Sequence, residues 1–487
     1  MSKPASDTRP NLLIIMADEH APQFSGAYGH PLVQTPHLDR LAAGGVLFEN
    51  AYCNSPLCVP SRMSFMTGRH VHEIGTWDNA SPLASDSPTW AHMLRAGGYD
   101  VVLAGKQHFV GPDQRHGFRA RLARDLHAEH RHPIFDWADG TPAAANPWPS
   151  LAQAGPGVSP EIAIDDQVAA AALAYLRDPD RHQQPWALNV SFIAPHFPFV
   201  VPDRYWNRYP PEEIDLPVIP AGHLASQHPV YQRLRRMFGL TGFSEELVRR
   251  GRAGYYGLIT FLDDKIGQLL DTLAETRLAD NTLVIYVSDH GEMAGEHGLW
   301  RKSNFYEHSS RIPLVLRWPG RLPAGRRIAS VVSLVDVVAS LVDAAGASPA
   351  GPLAGESLLP LARGEPSTTP WPDTAFAEYL GHGVARPMAM LRSGRYKLNY
   401  SLGDDPELYD LAADPAELRN LAADPAYQAV LGDLQRRLLL DWDPVALEQR
   451  VRQSQRERLL IAAAETGRTA TAARDQWYAS GSTVVPS

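Results

Sequence analysis

Cysteine is nearly absent from this chain of 487 residues, which has only Cys53 and Cys58, close together in AYCNSPLCVPSR. No disulfide framework can therefore staple the fold, and the ordinary fate of such a thiol is burial as a small hydrophobe. That reading is assigned to Cys53, while Cys58 stands as a thiol with a special task. Long apolar runs are also missing. The polar N-terminus MSKPASDTRP passes straight into NLLIIM, which is far too short for a secretory h-region or a membrane span. A soluble, cytoplasmic protein with no membrane partner is expected. No block of Lys and Arg exists, and 45 basic residues face 54 acidic ones for a net charge of -9. Nothing in that balance could neutralise a row of phosphates, so nucleic acid is not an expected partner. Internal repeats and long low-complexity tracts are absent as well.

What the chain does have is length and 44% hydrophobic content, enough for a large α/β unit plus a smaller one. Residues 11–16, continuously apolar after Asn11, read as a strand covered on both faces and break into Ala17, Asp18, Glu19 and His20. TLVIYVSDHGE repeats the pattern, with the strand-like Leu283 to Val287 leading to Asp289 and His290. Ligands gather outside the carboxyl ends of strands in an open α/β sheet, so two strands ending in Asp suggest one shared site. Helical candidates TPHLDRLAAGGVLF, SPTWAHMLRAGG and GRAGYYGLITFLDDKIGQLLDTLAETR alternate with the strand-like DVVLAG, WALNVSFIA and PLVLRW. That is the βαβ pattern of a layered, mostly parallel sheet.

The stretch from about 112 to 160, rich in Pro, Ala, His and Trp without a clear period, reads as an insertion packed over the site. Its HAEHRH cluster is expected to line a pocket or face solvent. A Pro/Gly-rich passage places a boundary near residue 366. The expected organisation is a catalytic unit at 1–365, a small antiparallel α+β unit at 366–430 and a helical tail at 431–487. In the small unit DTAFAEYL, PMAMLRSGRYKLNYS and ELYDL read as strands and AELRNLAAD as a helix.

The segment CVPSRMSFMTGRH at 58–70 resembles the type I sulfatase motif, C-x-P-S-R followed by T-G-R, in which the cysteine is oxidised to formylglycine. NLLIIMADEH, LAGKQHF, APHFPF, VSDHGEMAGEHGLWRK and YKLNY with ELYDLAADPAELRNLA resemble further blocks of that family, in family order. The resemblance implies an alkaline phosphatase-like α/β fold, a large mixed sheet between helices with a smaller C-terminal antiparallel sheet. It also implies a formylglycine made from Cys58 by a formylglycine-generating enzyme. A hydrated aldehyde carries two hydroxyls on one carbon, so one can attack sulfur and the other can later expel sulfate.

Carried over residue by residue, the resemblance makes Asp18, Glu19, Asp289 and His290 the metal positions. Hard oxygen ligands favour Ca²⁺, with Mn²⁺ as the alternative. Arg62 and Lys106 match the cations that orient the formylglycine hydroxyls, and Lys302 the lysine that holds sulfate oxygens. His108 matches the general base for sulfate expulsion, and His196 the histidine beside the leaving-group oxygen. Asn79 matches a polar contact to the ester.

Among sulfatases the chain is most similar to choline sulfatases and neighbouring bacterial alkyl or aryl sulfatases, whose tail is associated with oligomer contacts, so a homo-oligomer is expected. A quaternary ammonium would need an aromatic cage or a carboxylate, for which Trp77, Trp137 and Glu378 are candidates. The insertion departs from the choline-sulfatase pattern, which leaves the small alkyl, choline-like or aryl sulfate ester open. A phosphonate monoester or phosphodiester hydrolase using the same site is the rival reading.

Overall fold

The computed structural model describes residues 9–466 apart from 130–131, 141–143, 145–146 and 366–369. The expected boundary near 366, His130 and the tail beyond 466 lie outside the described residues.

In chain order the strands are β1 Asn11–Asp18, β2 Val46–Tyr52, β3 Asp100–Gly105, β4 Ala120–Ala123, β5 Gly155–Pro156, β6 Trp186–Pro195, β7 Val200–Val201, β8 Thr282–Ser288, β9 Arg311–Arg317 and β10 Arg326–Ser333. β11 Thr374–Tyr379, β12 Met388–Ser393, β13 Tyr396–Ser401 and β14 Glu407–Asp410 follow. The large sheet has eight strands in the order β10-β2-β9-β8-β1-β6-β3-β4. It is mixed because β9 runs antiparallel to both β2 and β8.

The continuous apolar run of β1 has a direct physical cause. Leu12, Ile14 and Met16 enter a core shared with the helices Cys58–Thr67, Trp90–Ala96 and Leu334–Ala345. Leu13, Ile15 and Ala17 enter the opposite core, with the helices Pro160–Arg177 and Glu245–Glu275. Both faces of a central strand are thus dry, and polar residues appear only where the strand leaves the sheet. β1 and β8 are parallel neighbours with Ala17 opposite Ser288, so the acidic residues that end them fall side by side at one sheet edge.

The second sheet, β11-β12-β13-β14, is antiparallel as expected. Two local expectations fail. GVLF does not continue the helix Pro36–Ala43 but opens β2, because Gly44 and Gly45 end the helix and leave no room beside Leu316 and Arg317. AELRNLAAD is irregular, and the helix begins later, at Gln428. There Asn420 Oδ1 accepts the backbone N–H groups of Leu408 and Ala422, and Glu417 has a φ of 53°. Such side-chain to backbone bonds compete with a helical ladder. The tail forms a helix over Pro444–Thr466, and no helix among the described residues is long and apolar enough to cross a membrane.

Candidate active site

Position 58 is the first residue of the helix Cys58–Thr67, every residue of which is buried. Cys58 Sγ lies 3.3 Å from His290 Nε2 and 3.9 Å from Asp18 Oδ1. Burial, followed by the nearby Asp18 carboxylate, pushes the Cys58 thiol up to about 11. As an unmodified thiol it is therefore a weak nucleophile at neutral pH. Cys53, by contrast, is a core residue, as expected.

The two strand-end carboxylates divide their work between their oxygens. Asp289 Oδ2 accepts Arg62 Nε–H at 2.7 Å, and Asp18 Oδ2 accepts Arg62 Nη2–H at 3.3 Å and pairs closely with Lys106 Nζ. The Oδ1 atoms of both face His290 Nε2, each at 3.7 Å. His290 Nδ1 lies 3.1 Å from Gly291 O; a carbonyl can only accept, so that nitrogen carries the proton and Nε2 presents a lone pair. Gly291 is required here, because a Cβ would lie 2.0 Å from His308 O.

Three acceptor atoms thus converge beside position 58. The potential ligand atoms of Asp18, Cys58, Asp289 and His290 all lie within 4.8 Å of one another, and all four residues are buried. Acceptor-only groups packed together in this way fit a hard divalent cation, and a carbonyl orienting the histidine through its other nitrogen is the usual outer support for such a ligand. The Asp18 carboxyl is held well below its ordinary value, its burial being outweighed by the neighbouring cations Lys106 and Arg62.

Glu19 is placed differently from the expectation. Its backbone turns at φ 69°, and its amide donates to Asp289 Oδ1 at 3.1 Å. Its carboxyl turns to Lys302 Nζ at 3.0 Å and His196 Nε2 at 3.2 Å. Glu19 therefore groups with Asp18 and His196 rather than with Asp289 and His290. Burial raises its carboxyl well above the ordinary value, against the pull of Lys302. His196 Nδ1 lies 2.6 Å from Phe197 O, which places its proton there and turns the Nε2 lone pair towards Glu19. Burial keeps this imidazole neutral.

Arg62 also donates Nη1–H to Lys106 O at 2.9 Å and to Ser191 Oγ at 2.8 Å. His108 sits at φ 59° with Nε2 2.9 Å from His132 Nε2, and its ring centre is 4.7 Å from that of His127. The insertion therefore reaches the site through His127 and His132, the first and last residues of the HAEHRH cluster. Burial holds His108 well below its ordinary value. Sequence reasoning missed Asp125, whose Oδ2 accepts the backbone N–H of Gln107 at 2.9 Å and of His108 at 2.7 Å. Its Oδ1 accepts that of His127 at 2.9 Å.

Asn79 Oδ1 accepts the Val59 N–H at 3.0 Å, so this side chain caps the helix that carries position 58. Glu378 needs correction. Its Oε1 accepts the His72 N–H at 2.8 Å and lies 2.8 Å from His72 Nδ1, and its Oε2 accepts the Trp442 indole N–H at 2.9 Å. Fully buried, both oxygens hold the protein together instead of facing a substrate.

The sulfatase family model matches residues 10–347, and the model for the C-terminal part of N-sulphoglucosamine sulphohydrolase matches residues 295–441. Choline-sulfatase of Rhizobium meliloti is 37% identical over 477 residues, covering 93% of this chain and 91% of its own. Arylsulfatase K of Xenopus laevis is 29% identical over 504 residues, covering 98% and 91%. The phosphonate monoester hydrolase of Agrobacterium radiobacter superposes with a TM-score of 0.73 at 29% identity, covering 91% of this chain and 96% of that one. With this fold, alkaline phosphatase-like in its mixed sheet and small antiparallel partner, the chain belongs to the sulfatase family and is a sulfuric ester hydrolase.

Proposed function

We propose that the enzyme hydrolyses a small alkyl, choline-like or aryl sulfate ester through a formylglycine made from Cys58, with a divalent ion, Ca²⁺ or Mn²⁺, held by Asp18, Asp289 and His290. The observation that carries this reading is the convergence of Asp18 Oδ1, Asp289 Oδ1 and His290 Nε2 beside the side chain of residue 58. When bound, the ion supplies positive charge that polarises a sulfuryl oxygen and favours an ionised hydroxyl at position 58. The hydrated aldehyde supplies one hydroxyl to bond sulfur and a second whose loss of a proton releases sulfate.

The surrounding residues have separate tasks. Arg62 and Lys106, buried and fixed by Asp18 and Asp289, orient the hydroxyls at position 58. Lys302 holds sulfate oxygens, and its ammonium is raised by neighbouring acidic groups despite burial, so it stays charged. His108, kept neutral by burial, takes the proton of the second hydroxyl. Lys302 stands with His196 on Glu19, where its ammonium stabilises the departing oxygen and His196 lines the place that oxygen occupies. Maturation by a formylglycine-generating enzyme and assembly as a cytoplasmic homo-oligomer belong to the same proposal.

The test is sulfate release from a panel of alkyl and aryl sulfate esters by matured protein, with and without EDTA. Release that falls by about a thousandfold or more on chelation and in Cys58→Ala supports the reading. Near-wild-type turnover by Cys58→Ala overturns it. The likeness to phosphonate monoester hydrolase carries a second reading, which prevails if matched aryl phosphonate monoesters or phosphodiesters are turned over with the higher kcat/KM.

A further inference from the structure

Hydrolysis of a sulfate ester at neutral pH yields an alcohol, a sulfate dianion and a proton, and that proton has to leave a buried site. The base assigned to sulfate expulsion is badly placed to keep it. His108 is 1% exposed, and burial, with the nearby cations Lys106 and Arg62, disfavours its charged form. A proton taken there must pass on before the next turnover.

The two nitrogens of this ring have different surroundings. Nδ1 is buried and without a hydrogen-bond partner among the described residues. Nε2 lies 2.9 Å from Nε2 of His132, and two ring nitrogens at that distance share a single proton. One nitrogen is thus left for the hydroxyl at position 58, and the other is already joined to a second base.

His132 ends the HAEHRH run and is part-exposed, whereas His108 and His127 are buried. The pair therefore runs from the interior towards solvent. Asp125 fixes this joint, because it accepts the backbone N–H of His108 at 2.7 Å and that of His127 at 2.9 Å. The loop carrying the base and the start of the insertion hang on one carboxylate. The His127 ring packs alongside, its centre 4.7 Å from that of His108 and 6.5 Å from that of His132, while the His108 and His132 centres are 4.9 Å apart.

We infer that His132 is the proton acceptor behind His108, so that the insertion carries the exit for the proton released in each turnover. This deepens the sulfatase reading and rests on its assignment of His108 as the base. In the expulsion step the O–H bond of the free hydroxyl breaks, its proton goes to His108 and its electron pair closes the carbonyl. The bond from that carbon to the sulfate oxygen breaks, and its pair leaves with sulfate. His108 gives a proton across the Nε2 pair to His132, which passes it to bulk water.

The test uses matured protein, its formylglycine verified, with 4-nitrophenyl sulfate in a dilute buffer free of imidazole. In His132→Ala kcat is expected to fall by about tenfold or more. An initial burst of about one nitrophenol per site is expected to remain, since the first step does not use this route. Added imidazole restores turnover saturably. His132→Gln separates a relay from an orienting contact: the amide still hydrogen-bonds His108 Nε2 but accepts no proton, so kcat falls as far as in the alanine variant. The ratio of burst to steady-state rate is read in each case, because an inactive fraction leaves it unchanged.

Near-wild-type kcat in either variant, a loss that imidazole does not restore, or loss of the burst together with turnover overturns the inference and leaves the sulfatase reading standing. Failure of the matured wild type to release sulfate overturns the sulfatase reading itself, and the inference with it.

Discussion

At position 125 one buried carboxylate accepts three backbone N–H groups, those of Gln107, His108 and His127. His108 occupies a left-handed conformation that a non-glycine residue adopts only when its surroundings impose it. Asp125 supplies that restraint and so positions the imidazole assigned to sulfate expulsion. Asp125→Asn turns an amide NH2 against at least one of these donors, and kcat is expected to fall by about tenfold to a hundredfold with a much smaller change in KM. Steady-state kinetics at constant metal saturation check this, and an unchanged kcat removes Asp125 from the account. No sequence signal marked this residue, because its partners lie 17 and 18 positions earlier across a sheet edge. Asp18, Asp289 and the residues after Cys58 were legible for the opposite reason: each stands at a strand end or inside a short motif. Glu19 and Glu378 show where adjacency misleads, since a turned backbone sends one to Lys302 and long-range partners consume the other.

Among the elements, β1 and β8 could be read from the chain because a strand dry on both faces must be apolar throughout. The orientation of β9 could not, since a run such as IPLVL is equally apolar in either direction. β2 was hidden behind a helix-like stretch ended by two glycines. The helix Pro444–Thr466 was legible, but the surface it packs on was not. Its Arg458 donates to both oxygens of Asp78, the residue beside Asn79, and its Gln455 accepts the Trp137 N–H. The helix thereby braces the loop that caps the start of the helix Cys58–Thr67. The Arg458 and Asp78 side chains are only 13% and 6% exposed, so Arg458→Ala leaves a buried carboxylate without its counter-charge. A loss of about 3 kcal/mol is expected, seen as a lower unfolding midpoint. Combining Arg458→Met with Asp78→Leu is expected to restore most of it. Equal midpoints for Arg458→Ala and wild type contradict the bracing role.

For the molecule as a whole, the packing of the two sheets makes stability depend on pH. His297, on a loop of the large unit, stacks on Tyr306 with ring centres 3.8 Å apart, and Tyr306 packs near Tyr409 of β14. Burial pushes the His297 imidazole down to about 3, whereas an unfolded histidine titrates near about 6.5. The folded state therefore binds fewer protons between these values. This contribution is fully present above about pH 6.5 and is lost as the pH falls towards about 3. Unfolding midpoints measured across that window are expected to fall less steeply for His297→Phe than for wild type, and parallel curves refute the link. The overall plan, a large mixed sheet with a small antiparallel partner, was legible from pattern and family resemblance together. The joint between the units was not, because it is made of contacts distant in sequence.

The central claim concerns one side chain beside three converging acceptors. Its most direct test is mass spectrometry of the peptide containing residue 58, taken from active protein matured by a formylglycine-generating enzyme and compared across preparations of different specific activity. The account predicts an aldehyde in place of the Cys58 thiol, in a fraction that rises in proportion to sulfatase activity. Full activity in protein whose Cys58 remains an unmodified thiol would contradict it.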